Sequence, residues 1–229
     1  MTGRQNVSHA VMAQRFEPSD SLDDFPTPPW ASRALIEHVI GRSEAAGRVC
    51  LEPACGRGYM SQALGPYFSK VIASDIAEYG HGLVGDFVTS SYPEGVDWVI
   101  TNPPFRLAED FFHKGFDIAR EGVALLVRTV FLEGKGRLER IFSQYPPTVV
   151  AQFSERVPMV KGRLDKKAST ATGYAWFVWR KPLVDQTRLV WIPPCRKLLE
   201  RDDDYEALGG TPRARLSEAP SMLDMFRDS

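Results

Sequence analysis

Asn102-Pro103-Pro104-Phe105 is the tetrapeptide whose residue types could do chemistry. It follows a short apolar run over 96–100 rich in β-branched and aromatic residues, a composition suited to a buried strand. Pro103 and Pro104 fix φ, lack N–H groups and push the residue before each of them out of the helical region, so a strand arriving here must stop. The resulting corner is rich in acceptors and poor in donors. The Asn102 amide offers one acceptor oxygen and two donor hydrogens, and the neighbouring backbone carbonyls have few local N–H groups to consume them. A planar group bearing an amine suits such a corner. Phe105 could stack on its π-face, worth about 1–3 kcal/mol when the partner is a base.

Some fifty residues upstream, a strand over 48–53 runs into Glu52-Pro53-Ala54-Cys55-Gly56-Arg57-Gly58. Gly56 and Gly58 let the backbone turn tightly and approach a ligand, and the helix expected over 59–68 presents free N–H groups suited to an anion such as a carboxylate. The fuller Gly-x-Gly-x-x-Gly of a dinucleotide fold and the Gly-Lys-Ser/Thr of a P-loop are both missing. Glu52 at the strand end would repel a pyrophosphate, so the loop suits a zwitterion with a positive amino group. Asp75 closes a second strand over 70–76, about 23 residues after Glu52. An acid there in a nucleotide-binding α/β unit accepts hydrogen bonds from ribose hydroxyls.

The elements that must position these groups alternate. A helix over 28–40 begins at Phe25-Pro26-Thr27-Pro28-Pro29-Trp30, with Thr27 as its N-cap and two prolines in its first turn. Residues 107–119 carry a helical apolar stripe that should cover a sheet. Strands are expected over 122–130, 148–153 and 174–180, with a charged, helix-starting segment over 133–140. Alternating strands and helices predict a parallel sheet, and the last two strands, lacking a helix between them, predict an antiparallel hairpin at its edge. Trp191-Ile192-Pro193-Pro194 reads as a segment packed on the domain.

Taken in order, these motifs resemble the S-adenosylmethionine-dependent methyltransferases that modify exocyclic amines, above all the adenine-N6 DNA methyltransferases. The resemblance spans roughly residues 25–180, and the ordered set is far more specific than any member. It implies an α/β fold, a Rossmann-like, mostly parallel seven-stranded sheet with an antiparallel edge hairpin. It implies S-adenosyl-L-methionine as cofactor, held by Thr27, Pro28, Glu52, Pro53, Ala54, Gly56, Asp75 and Ile76. Gly85-Asp86-Phe87 resembles the adenine-binding loop, with Asp86 accepting from the adenine amine, Phe87 beside the ring and Asn102 completing the site. Asn102, Pro103, Pro104 and Phe105 would carry catalysis, and Trp30 and Phe105 would meet the substrate.

The implied reaction is methyl transfer to the N6 amine of adenine in DNA. Asn102 and the Pro103 carbonyl would hold the amine hydrogens and aim its lone pair, so catalysis is mostly positioning and electrostatic fit. Adenine or guanine amines of RNA are the alternative substrate. Protein-glutamine enzymes share the corner but usually bring an N-terminal helical domain, and a catalytically silent cofactor-binding subunit would have no chemical need for the full set of residues.

Composition bounds the rest. With 43% apolar residues in 229, the chain can bury a full core. No stretch approaches the roughly 18 apolar residues of a membrane span, and no signal pattern opens the chain. A cytoplasmic protein of a bacterial or phage-infected cell is expected, with no membrane partner. Cys50, Cys55 and Cys195 form no CxxC pair, and four scattered histidines show no ligand spacing, so no metal is expected. Residues 101–200 carry 17 basic against 10 acidic side chains, whereas 1–100 carry 7 against 12. That basic middle can face a phosphate backbone.

Part of the excess lies in 154–173, an insertion within the methyltransferase domain (22–200) that is too long for a tight turn and too polar for core. Lys161, Arg163, Lys166 and Lys167 there are candidate nucleic-acid contacts. Residues 1–21 are expected to be a flexible arm and 201–229 a flexible acidic tail. Whether the protein is a monomer or a homodimer is left open by the sequence.

Overall fold

The computed structural model describes residues 23–92, 94–206 and 209–210. The expected arm over 1–21, and the expected tail beyond 210, lie outside the described residues.

Among the described residues, eight strands form one sheet: Val49–Glu52 (β1), Lys70–Asp75 (β2), Leu83–Val84 (β3), Trp98–Thr101 (β4), Gly122–Arg128 (β5), Val149–Phe153 (β6), Tyr174–Arg180 (β7) and Arg188–Ile192 (β8). Their order is β3-β2-β1-β4-β5-β7-β6-β8. All neighbours run parallel except β7, which is antiparallel to both β5 and β6. The central strands read as continuous apolar runs because helices cover both faces.

Among the described residues, six α-helical segments flank the sheet: Pro29–Leu35 (α1), Arg42–Ala45 (α2), Tyr59–Leu64 (α3), Ala108–Ile118 (α4), Lys135–Arg137 (α5) and Arg196–Leu199 (α6). Wider π-helical turns extend α1 over Ile36–Ile40 and α5 over Leu138–Phe142. On one face α1 and α3 bury Trp30, Leu35, Met60 and Leu64 against Trp98, Ile100, Trp176 and Val178. On the other, Phe111 and Phe112 of α4 pack on Val99, Val123, Phe177 and Trp179. Each fully buried large apolar side chain of this kind stabilises the fold by about 1.5–3 kcal/mol. Gly122 is fixed by sterics: a Cβ there would stand 2.3 Å from the Trp179 carbonyl oxygen.

Several expectations change. The sheet has eight strands rather than seven, and the β6–β7 hairpin is not at its edge. The segment read as packed on the domain is β8, which pairs in parallel with β6 from Val149↔Arg188 to Phe153↔Ile192 and takes the edge itself. Ile192 turns into the core while Leu189 and Trp191 face outward, the period-2 pattern of an edge strand. The helix expected from Pro28 begins at Pro29 with Pro28 in the cap position, and its cap has no side-chain hydrogen bond. Thr27 therefore does not cap it. The first residues of the stretch expected as a flexible tail form a 3₁₀ turn, Asp202–Tyr205, whose Asp204 accepts two bonds from the buried Arg33 guanidinium at 2.6 and 2.8 Å. Two buried opposite charges with bidentate geometry hold that turn on α1.

Candidate active site

Strand order reverses between β1 and β4, where ligands of open parallel sheets settle beyond the carboxyl ends of the strands. A cavity of about 320 Å³ lies there. The ends of β1, β2 and β4 supply Glu52, Asp75 and Asn102 to it, and the loop after β3 supplies Asp86 and Phe87. Thr27, Pro53, Ala54, Gly56, Ile76 and Pro104 also line it.

The glycine loop is built by steric necessity. Gly56 and Gly58 have φ of 50° and 86°, a region that costs other residues strain. A Cβ on Gly58 would stand 2.5 Å from the His81 ring. His81 Nε2 in turn lies 2.9 Å from Ser61 Oγ, which donates to the Gly58 carbonyl. The helix that follows, Tyr59–Leu64, is shorter than the one expected over 59–68.

Acid dominates the electrostatics. Glu52 is 2% exposed, and its Oε2 is buried with no hydrogen-bond partner among the described residues. Burial, then repulsion from Asp75, pushes its carboxyl well above the usual range. Asp75 accepts the Gly56 N–H at 2.9 Å and the Ala77 N–H at 3.0 Å, yet burial still pushes it up to about 6. Asp86 accepts the Val88 N–H at 2.9 Å, which fixes the loop after β3. Buried carboxyls without a cation are costly, so the cavity suits a ligand that brings positive charge and hydroxyl donors.

At the tip of β4, the Asn102 Nδ2 donates to the Phe25 carbonyl at 2.9 Å. Its Oδ1 is buried without a partner among the described residues, as is Thr27 Oγ1. A buried acceptor left unmade costs about 1–3 kcal/mol, and both atoms are placed to take a donor. The segment Asp23–Thr27 straps across the cavity. Asp24 pairs with Arg57 at 2.9 Å and its carbonyl accepts the Gly162 N–H at 2.8 Å. Asp23 Oδ2 accepts the Phe105 N–H at 2.8 Å.

Other residues singled out from the sequence lie elsewhere. Trp30 is not at the site: it is 1% exposed, edge-on to Phe153 in the core, because α1 is buried along its whole length. Pro28 and the buried Pro103 adjoin the cavity residues without lining the cavity. Phe105 does not line it either, and its ring is no bare platform. The Phe25 ring lies 5.6 Å away at 41°, and the Arg128 guanidinium sits 3.9 Å from the Phe105 ring centroid. Lys161, Arg163, Lys166 and Lys167 lie on the insertion, outside the cavity. The insertion is anchored nonetheless, since Val157 and Met159 are buried and Met159 Sδ stands 3.8 Å from Asn102 Nδ2.

Sequence reading missed Asp23, Asp24, Tyr79 and Arg106, which line the cavity. Arg57 had a usable signal, lying inside the glycine motif. The acids at 23 and 24 had none, because their partners are 82 and 33 residues away.

No protein-family model matches the chain, and no curated protein matches it. Among solved structures, a Pyrococcus horikoshii protein described as a candidate RNA methyltransferase aligns with a TM-score of 0.54 at 19% identity, over 72% of this chain and 90% of that one. A dimethyladenosine transferase from Plasmodium falciparum aligns at 0.47 and 16% identity, over 67% and 62%. Magnesium protoporphyrin IX methyltransferase from Synechocystis aligns at 0.46 and 13%, over 66% and 78%. The first likeness establishes the fold: this chain has the Rossmann-like methyltransferase fold, with one strand more than expected. Among the described residues no helix is long and apolar enough to cross a membrane.

Proposed function

We propose that the chain is an S-adenosylmethionine-dependent methyltransferase acting on the N6 amine of adenine in DNA. The observation that carries this reading is a juxtaposition. One cavity, lined by five acids, brings Glu52, Asp75 and Asp86 together with the Asn102 amide, whose Oδ1 is buried and unpartnered among the described residues.

The residues fit the cofactor. Glu52 would face the ammonium of the methionine part and the Gly56 turn would lie along it, with Thr27 Oγ1 as a further acceptor. Asp75 would take the ribose hydroxyls, and Asp86 the adenine amine, between Ile76 and Phe87. When bound, the cofactor supplies a methyl group on a positive sulfur, open to attack by an amine nitrogen.

The chain's own part is positioning. Asn102 Oδ1 and the Pro103 carbonyl would accept the two amine hydrogens of the target, draw its nitrogen toward tetrahedral geometry and direct the lone pair into the cavity. In duplex DNA the target must leave the stack, at a cost of a few kcal/mol. The basic side chains of the 154–173 insertion would meet the backbone.

RNA is the second reading, supported by the description of the Pyrococcus horikoshii protein with which the chain shares its fold. The test is incubation of purified protein with methyl-labelled S-adenosylmethionine and, separately, unmethylated genomic DNA and total RNA, followed by nucleoside analysis. N6-methyladenine in DNA alone supports the main reading, and label in RNA alone replaces it with the second. Label in neither, with the cofactor bound, overturns both and leaves a silent subunit or a protein substrate.

A further inference from the structure

The β4–β5 register pairs Thr101 with Leu125, and β5 runs on for three residues to Arg128. Arg128 therefore lies past the end of β4, beside the Asn102–Phe105 corner. Its antiparallel partner is Tyr174, the first residue of β7, so the two side chains share one face of the sheet. The guanidinium carbon lies 3.9 Å from the Phe105 ring centroid, a face-on approach of one planar group to another.

This arrangement is poorly explained as architecture. Among the described residues, no carboxylate pairs with Arg128: its guanidinium meets the Tyr174 hydroxyl across the β5–β7 pair, while its Nε is buried without a hydrogen-bond partner. An arginine that only held the fold together would be expected to pair its charge, as Arg33 does with Asp204. Arg128 instead lies over a face of the Phe105 ring, with a delocalised planar cation where a base could stack. Phe25, which packs beside that ring, belongs to the strap and is tied to the corner through the Asn102 bond.

We propose that Arg128 is a substrate-positioning residue. Its guanidinium covers the stacking face of Phe105 and moves to a flanking phosphate when a base takes that face. The inference rests on the nucleic-acid reading above and deepens it by naming the group that couples base entry to backbone binding. An arginine can exchange one role for the other because its guanidinium both stacks on rings and binds phosphate.

The test compares wild type with Arg128→Lys, Arg128→Gln and Arg128→Ala on a single-stranded, adenine-containing oligonucleotide. It measures KM and kcat for transfer and the salt dependence of binding. Thermal melts and S-adenosylhomocysteine binding report folding. Arg128→Gln keeps a planar group on Phe105 without charge, which guards against loss of fold.

Both Gln and Ala are expected to raise KM by about tenfold and to lower the salt slope by about one, with kcat within about threefold. Lys, which keeps the charge, is expected to restore the slope. Unchanged KM and slope in the folded Gln variant overturn the proposal while the nucleic-acid reading stands. A wild-type protein that neither binds nor methylates any nucleic acid overturns both.

Discussion

Asn102 donates its side-chain amide to the Phe25 carbonyl at 2.9 Å, joining the tip of β4 to a segment 77 residues upstream. A backbone carbonyl can only accept, so this bond fixes which end of the amide faces the strap and leaves Oδ1 as the free acceptor. Asn102→Ala removes that acceptor without touching the acids that would hold the cofactor. Transfer is expected to fall about 10²–10³-fold, the usual loss for one positioned polar group, while S-adenosylhomocysteine binding weakens far less, by no more than about tenfold from loss of the bond to the strap. Calorimetry beside a labelled-methyl assay checks both, and undiminished transfer would remove Asn102 from the chemistry.

A pH dependence follows from Asp75. Its carboxyl is raised from 3.8 to about 6, chiefly by burial, so the folded protein holds this proton more tightly than the unfolded chain does. Stability from this group is therefore full below about pH 4 and declines as pH rises through about 6. Ligand binding runs the other way, because the ionised carboxylate is the better acceptor for hydroxyls. S-adenosylhomocysteine is expected to bind more tightly as pH rises from about 5 to about 7, by up to about tenfold per unit. Asp75→Asn should flatten that part of the profile, leaving the contribution of Glu52. A flat wild-type profile contradicts this account.

What could be read in the sequence was what short-range chemistry decides. Pro103 and Pro104 had to end β4, and Gly56 and Gly58 had to turn after β1, so Glu52 and Asn102 could be placed at strand ends without a structure. Asp75 followed from the strand that it closes. Trp30 was misplaced because a seven-residue helix buried on every side shows no periodicity that separates a core face from a site face. The Thr27 cap failed for a related reason: two consecutive prolines let the helix begin at Pro29, and Thr27 lines the cavity instead. The strap, the cover on Phe105 and the insertion of β7 between β5 and β6 all depend on interactions between distant segments. No local pattern encodes them.

The close approach of Gly58 and His81 gives a structural test of the glycine loop. Gly58→Ala would place a Cβ 2.5 Å from the imidazole and force a side chain onto a φ of 86°. Strain of about 1–2 kcal/mol is expected from the backbone alone, with more from displacing His81 off Ser61. His81→Ala added to Gly58→Ala should recover the steric part and leave the backbone part. Denaturant melts of the two single variants and the double variant measure this coupling, and strict additivity would mean that the ring does not set the loop.

The insertion over 154–173 poses the last question, because it is anchored on its inner side and charged on its outer side. Val157 and Met159 are buried, and the Gly162 N–H is fixed to the Asp24 carbonyl, so backbone and apolar contacts already hold the insertion over the strap. Replacing Lys161, Arg163, Lys166 and Lys167 by Ala should leave the melting temperature within a few degrees, since surface charges contribute little to stability. Nucleic-acid affinity should weaken and its salt slope should fall by about 0.7–0.9 for each phosphate no longer neutralised. Arg163 already has Asp165 at 3.4 Å and the Lys166 ammonium lies 5.6 Å from the Tyr205 ring centroid, so each would give up a local partner to meet a phosphate. The single variants Lys167→Ala and Arg163→Ala are therefore expected to differ, with Lys167 giving the larger change in slope. Filter binding across a salt series decides it: a quadruple variant with the wild-type slope would leave the insertion as a wall of the site with no hold on the backbone.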